Sequence, residues 1–237
     1  MVRHDDKNAH KESQRLAQSA QAKRQNTIKF VKKAALWLVI IAVLVFGFQY
    51  ILSLTKVQTD GLPKLSVAQV GTTDHVFGDG KILLVEYSDF QCPACKAYEP
   101  LVDQVVEKYG ENITLVYRHF PLRSIHRHAQ MMAQASEAAA LQGKFWEYKT
   151  ALFESQDEWK DLGSVKEYAI QKAVAMGMDA AKFEADMTAQ STKAKVENDY
   201  QSGIANRLQG TPSFFVNGQK VQFKNYEELE SIIKRLQ

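Results

Sequence analysis

The only two cysteines of the 237-residue chain lie in the sequence Cys92-Pro93-Ala94-Cys95. They follow an apolar run that predicts a strand and precede a predicted helix. A disulfide between them would close a very small loop, so it would restrict the unfolded chain little and has no clear structural use. At a helix N-terminus, the backbone N–H groups and the helix dipole lower the pKa of a cysteine. The spacing therefore predicts redox chemistry with Cys92 as the reactive thiolate.

A zinc site is the main alternative for such a pair, and an inert structural pair is the other. Zinc needs two further ligands, and no other cysteine is present. None of the six histidines pairs with another at ligand spacing, and His126 and His128 would point to different faces of a predicted helix. We therefore expect no metal, and no cofactor other than the redox-active disulfide Cys92–Cys95.

The elements around the cysteines predict a parallel βαβ unit. Residues 82–87 form an apolar run of strand length, and a helix from Cys92 or Pro93 to about Gly110 follows. Proline suits the first turn of a helix because the N–H that it lacks would be unpaired there anyway. Residues 113–118 predict the next strand, and the right-handed crossover rule makes the two strands parallel.

A helical stretch from about residue 124 to residue 208 follows, with predicted breaks at Gly143, near Gly163 and at Gly177. The chain then returns to strands at residues 210–216 and 220–223. Asn-Gly between these two runs predicts a hairpin, and an amphipathic pattern predicts a last helix at residues 226–236.

Residues 34–54 read as a transmembrane helix. The segment AALWLVIIAVLVFGFQYILSL has no charged residue, and a helix of about 21 residues spans roughly 31 Å, enough for the hydrocarbon core. Nine Lys or Arg precede it and only Lys56 and Lys64 follow closely, so the positive-inside rule places the N-terminus in the cytoplasm. A cleaved signal peptide is the alternative, but the apolar run is long and no A-x-A-like site follows.

The sequence thus predicts a basic cytoplasmic tail (residues 1–33), a single-pass signal anchor in the plasma (inner) membrane (34–54), a linker (55–74) and an extracytoplasmic domain (75–237). The tail carries nine basic and three acidic residues, whereas the whole chain has a net charge of +3. The basic charge therefore belongs to the tail and the anionic membrane beside it, and we expect no nucleic-acid partner.

Three segments resemble the DsbA-like thiol–disulfide oxidoreductases of the bacterial cell envelope, within the thioredoxin superfamily. They are VEYSDFQCPAC at residues 85–95, YRHFP at 117–121 and GTPSFFVNG at 210–218. The resemblance covers about residues 75–237 and implies an α/β thioredoxin fold with a helical insertion. His119, in the second segment, has no chemistry assigned by the resemblance, and we expect a structural or surface role for it.

The resemblance also implies roles at the site. Cys92 would be the attacking cysteine, exposed at the helix end, and Cys95 the resolving one. Pro212 matches the family's cis-proline, which would leave the backbone of Thr211 free to pair with an extended substrate. Without the resemblance, Thr211-Pro212 would be interpreted as an ordinary turn.

Glu86, six residues before the first cysteine, matches the family's buried acid. Burial would raise its pKa and let it relay a proton to or from Cys95; the alternative is a solvent-facing residue on an edge strand. One feature departs from the strongly oxidising family members, in which histidine follows the proline between the cysteines. In the dipeptide Pro93-Ala94, the alanine offers no charge or side-chain hydrogen bond, so we expect a disulfide less oxidising than the extreme near about −120 mV.

The expected function is disulfide formation in exported cysteine-containing proteins. The alternative is a reductase or isomerase held reduced by a membrane electron donor, and a third is a membrane-tethered binding domain without activity. Because the chain has only two cysteines, we expect a separate membrane redox partner, either quinone-linked or electron-donating.

Overall fold

A computed structural model describes residue 33, residues 37–49 and residues 66–237. The chain divides into two units, Met1–Lys56 and Val57–Gln237. In the first unit, residues 37–49 are helical (α1). Across the described residues, no helix is both long enough and apolar enough to cross a membrane. The predicted anchor also includes residues 34–36 and 50–54, which lie outside the described residues, as do most of the tail and linker residues 55–65.

In residues 66–237, five strands form one mixed sheet of order β1-β3-β2-β4-β5. The strands are β1 His75–Phe77, β2 Ile82–Ser88, β3 Ile113–His119, β4 Ser213–Val216 and β5 Gln219–Val221. Strands β2 and β3 are parallel and the other neighbours are antiparallel, which confirms the predicted βαβ unit and hairpin. The sequence analysis missed β1, because three residues are too few to display a strand periodicity.

Helix α2 (Pro93–Tyr109) connects the two parallel strands and begins directly after Cys92. Its apolar face, with Val102 and Val105, packs in a core shared with both parallel strands and with the last helix, α9 (Tyr226–Lys234). The predicted start and end of α2 are confirmed to within a residue. The helix N-terminus therefore lies at the end of β2, where the two cysteines are.

Six helices of the described region form the insertion. They are α3 Ala129–Ala140, α4 Phe145–Glu154, α5 Gln156–Trp159, α6 Lys166–Ala175, α7 Ala180–Thr188 and α8 Gln190–Ala205. Gly143 lies between α3 and α4, and Gly177 lies between α6 and α7. Both have a positive φ, 73° and 79°, in the left-handed region that favours glycine. The insertion's core includes Trp159 and reaches both Cys92 and Cys95, so the helical insertion covers the cysteine pair.

The segment before β1 is held by a buried arginine on β3. The guanidinium of Arg118 contacts both carboxylate oxygens of Asp74, at 2.9 and 2.7 Å, and both side chains have no exposed surface. It also donates to the backbone carbonyls of Ser66 and Gln69 at 2.8 and 3.2 Å. Residues 66–74, assigned to the linker from sequence, are thus packed against β3.

Candidate active site

The turn between β2 and α2 is fixed by the side chain and backbone of Asp89. Its carbonyl accepts from the Cys92 N–H at 3.0 Å, and its carboxylate accepts from the backbone N–H groups of Gln91 and Leu122, each at 2.8 Å. The aspartate therefore ties the loop before the cysteines to the loop after β3. This local network sets the position of Cys92 at the helix N-terminus.

Both cysteines are free thiols and both are buried. Cys95 is fully buried and Cys92 is 6% exposed, so the expectation of an exposed Cys92 is wrong. The insertion covers the turn: the side-chain amide of Gln156 donates to the carbonyls of Phe90 and Cys92, at 2.7 and 3.0 Å. Only a small part of the first cysteine is therefore open to an incoming sulfur.

The cis-proline lies beside the first cysteine. The Thr211–Pro212 peptide bond is cis, and the Sγ of Cys92 lies 3.5 Å from the carbonyl oxygen of Thr211. Strand β4 begins at the next residue and pairs with β2. The fold therefore places beside the Cys92 thiol a segment that is more than 110 residues away in the sequence. The structure thus assembles Cys92, Cys95, Thr211 and Pro212 in one place.

The two thiols have opposite pKa shifts. The pKa of Cys92 is lowered to about 5, first by a hydrogen bond from the Cys95 thiol, then by the Thr211 hydroxyl and, more weakly, by the backbone N–H groups of Cys95 and Ala94; burial opposes this. Burial raises the pKa of Cys95 well above its usual value, and the neighbouring Cys92 adds to the effect. Pro93 occupies the first helical position. At neutral pH, Cys92 is therefore the thiolate and Cys95 the protonated thiol.

Glu86 lies on β2 and is 1% exposed, so the alternative of a solvent-facing residue is wrong. Burial raises its pKa, although the charge of Lys149 and the hydroxyl of Ser88 partly oppose the shift. Its Oε2 is buried and accepts no hydrogen bond from the protein. Burial therefore favours the protonated form of this carboxyl group.

The structure adds a buried ion pair that the sequence analysis missed. Lys149 on α4 donates to Glu99 on α2, and both side chains are almost fully buried. Burial raises the pKa of Glu99 to about 7, against the effect of the Lys149 charge. Glu99 lies one helical turn after Cys95, so it shares a helix face with it; this spacing was the available sequence signal. Nothing in the sequence indicates that Lys149 would reach the same place.

Two further hydroxyls complete a polar cluster behind Cys95. Ser88 Oγ and Tyr117 Oη are buried without a hydrogen-bond partner. The Ser88 hydroxyl lies close enough to lower the pKa of both Glu86 and Cys95. Burial raises the pKa of Tyr117 well above its usual value, and Glu86 and Cys95 contribute to the shift. The Ser88 hydroxyl therefore lies near both the Cys95 thiol and the Glu86 carboxyl group.

A cavity of about 440 Å³ opens on the far side of this cluster. It lies between α2 and α4, and its lining includes the side chains of Asp103, Trp146 and Lys149. Asp103 is half exposed and its carboxylate lies 3.9 Å from the Lys149 ammonium. Solvent can therefore approach the buried ion pair through this cavity.

A C-x-x-C pair at a helix N-terminus, beside a cis-proline on a βαβ-containing sheet, is the arrangement found in proteins of the thioredoxin fold. A family model described as thioredoxin matches residues 72–235, and the chain belongs to this family.

Solved structures place the fold among DsbA-like proteins. The chain is similar to BdbD from Bacillus subtilis in its oxidised form (TM-score 0.62, 20% identity, 73% of this chain and 97% of that one). It is also similar to α-DsbA1 from Wolbachia pipientis (TM-score 0.60, 22% identity, 74% and 93%) and to a thioredoxin-like oxidoreductase from Silicibacter pomeroyi (TM-score 0.59, 25% identity, 70% and 92%).

Curated relatives with higher identity carry a different name. The Na(+)/H(+) antiporter NhaA 1 of Mycolicibacterium vanbaalenii is 41% identical over 170 residues, which is 69% of this chain and 26% of that protein. The protein of the same name from Mycolicibacterium gilvum is 42% identical over 153 residues, 62% of this chain and 24% of that protein. The chain spans about a quarter of the length of these relatives.

Proposed function

We propose that the protein is a membrane-anchored disulfide oxidase of the cell envelope, which transfers the Cys92–Cys95 disulfide to exported cysteine-containing proteins. The observation that carries the proposal is the opposite pKa shift of the two thiols. A thiol of low pKa is a good leaving group in thiol–disulfide exchange. Stabilising the Cys92 thiolate also stabilises the reduced protein, which makes the disulfide a stronger oxidant.

The exchange runs in two balanced steps. A substrate thiolate attacks Cys92 Sγ of the disulfide; the S–S bond to Cys95 breaks, Cys95 leaves as a thiolate, and a mixed disulfide forms. A second substrate thiolate then attacks the substrate sulfur of the mixed disulfide, and Cys92 leaves as a stabilised thiolate. The substrate loses two electrons and gains a disulfide, and the enzyme gains the two electrons as a dithiol.

Protonation of Cys95 is the role of the buried cluster. A thiolate at this position is unfavourable because the sulfur is fully buried. Glu86, whose pKa is raised by burial, supplies the proton, and the Ser88 hydroxyl lies near both groups. The ion pair of Glu99 and Lys149 and the adjacent cavity connect the acid to solvent, so the proton can be replaced after each cycle.

Substrate would bind along the cis-proline. The carbonyl of Thr211 is next to the Cys92 sulfur, where an extended peptide can pair with it. A cavity of about 590 Å³ continues from Pro212 between α2 and the β4–β5 hairpin, and aromatic side chains line it: Tyr98, Phe214 and Phe223. We assign the flanking residues of the substrate cysteine to this cavity.

The anchor and the redox partner belong to the proposal as well. Residues 34–54 would hold the domain on the extracytoplasmic side of the membrane, and the names of the curated relatives as antiporters support a membrane location. A quinone-linked membrane protein would reoxidise Cys92–Cys95, because the chain has no third cysteine to pass electrons on.

A reductase or isomerase is the competing function, and one observation favours it. Ala94 contributes only its backbone N–H to the thiolate, so the stabilisation of the reduced form is smaller than a charged or hydrogen-bonding side chain would give. In that case a membrane electron donor would keep the pair reduced.

Two measurements on the full chain test the proposal. Thiol trapping in intact cells gives the redox state of the pair, and equilibration with glutathione gives its potential. A mostly oxidised pair with a potential near or above about −180 mV supports the oxidase, whereas a reduced pair near about −270 mV supports the reductase. The variant Cys95→Ser should accumulate mixed disulfides with substrates, and the matched variant Cys92→Ser should not. Absence of trapped species in both variants would contradict exchange through this site.

A further inference from the structure

Two histidines and a glutamate from three separate elements meet beside β1. His75 lies on β1, His119 ends β3, and Glu137 lies on α3. The Nε2 atoms of His75 and His119 lie 2.6 and 2.7 Å from the same oxygen, Oε1 of Glu137. One ligand atom from each residue falls within 4.8 Å of the others. Two imidazole nitrogens and one carboxylate oxygen form a donor set typical of zinc.

The surroundings hold these side chains in place and leave one entrance. The ring of His75 stacks on Phe145, with centroids 3.5 Å apart. His119 is buried, and its Nδ1 has no hydrogen-bond partner, so Nε2 makes its only polar ring contact. The side chain of His75 keeps 14% of its surface exposed, which gives an ion or water a way in.

The charge at the cluster also suits a divalent cation. Lys195 on α8 is a basic side chain beside Glu137. The ammonium of Lys195 is itself neutralised by Asp199, 2.5 Å away, and Asp199 also accepts from the His119 backbone N–H. The positive charge of Lys195 is thus already paired, and the cluster offers one carboxyl group and two imidazoles to an ion, which are donor groups that Zn²⁺ prefers.

We propose that His75, His119 and Glu137 form a zinc site that ties strand β1 to β3 and α3. Tetrahedral zinc–ligand distances of about 2.0–2.2 Å place neighbouring ligand atoms roughly 3.3–3.6 Å apart, so each histidine needs to move away from the Glu137 oxygen by about 0.6–1.0 Å. Water would take the fourth position through the opening at His75. Strand β1 has three residues and β3 as its neighbour in the sheet, so the ion would add a link between this edge strand and α3. The site is separate from the cysteine pair.

The test uses the full chain without a histidine tag and with both cysteines changed to serine, so that thiols do not bind the ion. Zn²⁺ alone is titrated calorimetrically, and Tm is measured with Zn²⁺ and with EDTA. We expect one ion per chain and a rise in Tm of roughly 5–10 °C at 100 times Kd. The variant His75→Asn should weaken binding at least about tenfold. His126→Asn is the matched control, because His126 is 16% exposed and paired with Asp89 outside the cluster; it should bind Zn²⁺ normally.

Three results would overturn the proposal: no stoichiometric binding, equal losses in the two histidine variants, or binding that leaves Tm unchanged. X-ray absorption of the Zn²⁺-loaded protein supplies a readout that does not depend on how His75→Asn folds. It should detect two imidazole ligands and one carboxylate ligand. A spectrum with fewer than two imidazoles would place the ion elsewhere and refute the site.

Discussion

Acidification should remove a defined part of the stability of the reduced protein. The pKa of Cys92 is about 5 in the fold against an ordinary value near 9. A pKa that is lowered on folding contributes stability that is fully present above the unfolded value and is lost as pH falls toward the folded value. For this thiol the window runs from about pH 9 down to pH 5. The oxidised protein has no thiol to titrate and lacks this contribution.

The size of the effect follows from the same two values. Lowering the pH from 7 to 5 reduces the contribution of Cys92 by about 1.7 pKa units, or about 2.3 kcal/mol. Solvent screening at the open side of the sulfur reduces this to about 1–2 kcal/mol. Groups such as Glu86 titrate in both redox forms, so their contributions largely cancel when reduced and oxidised proteins are compared.

Urea unfolding of both redox forms at pH 7 and pH 5 measures this difference, with the fluorescence of the buried Trp159 as the signal. We expect the stability of the reduced form, relative to the oxidised form, to fall by about 1–2 kcal/mol at the lower pH. Reduced Cys92→Ser is the control and should lack the dependence. The reasoning is refuted if the difference between the redox forms is the same at the two pH values. Because Cys92 is deprotonated and Cys95 is protonated in the reduced protein, one proton accompanies two electrons. The reduction potential of the pair should therefore change by about 30 mV per pH unit above pH 5.

Three further substitutions test the cluster around the thiols. Glu86→Gln removes the acid behind Cys95, so stopped-flow oxidation of a dithiol peptide should slow about 10²-fold; an unchanged rate would exclude the relay. Lys149→Met leaves Glu99 without its partner, and urea unfolding should reveal a loss of about 3–5 kcal/mol at pH 8. That loss should shrink at pH 5, where Glu99 is protonated, and an equal loss at both pH values would contradict the assignment. Thr211→Val removes a hydroxyl near the thiolate, and absorbance at 240 nm should report a thiolate pKa higher by roughly one unit, whereas no shift would rule out that contact.

The elements that the sequence predicted are those with a strong local signal. The Asn217-Gly218 turn adopts positive φ at both residues, 47° and 82°, as a two-residue hairpin requires. Gly143 and Gly177 end helices for the same conformational reason. Strand β1 could not be predicted, because its three residues are recognisable only through their pairing with β3.

The residues of the candidate site also divide into those that have a local sequence signal and those that have none. Cys92 and Cys95 could be found from their spacing, and Glu86 and Pro212 from the resemblance to DsbA-like proteins. Lys149 could not, because its position depends on how the insertion packs on α2. The partial burial of Cys92 could not be predicted either, because Gln156, which covers it, also lies in the insertion. Contacts between an insertion and the sheet are set by tertiary packing, which leaves no periodic trace in the sequence.

The buried arginine on β3 decides where this domain can be cut or joined. A fragment that starts at β1 would lose Asp74 and the two backbone carbonyls before it, and Arg118 would remain as an uncompensated charge in the interior. Breaking a buried pair in this way costs about 3–5 kcal/mol, a large share of the stability of an ordinary domain. A fragment from residue 72 keeps the carboxylate but loses the carbonyls of Ser66 and Gln69. The shortest fragment that keeps all these contacts therefore begins no later than residue 66, and the junction with a fusion partner belongs before that residue.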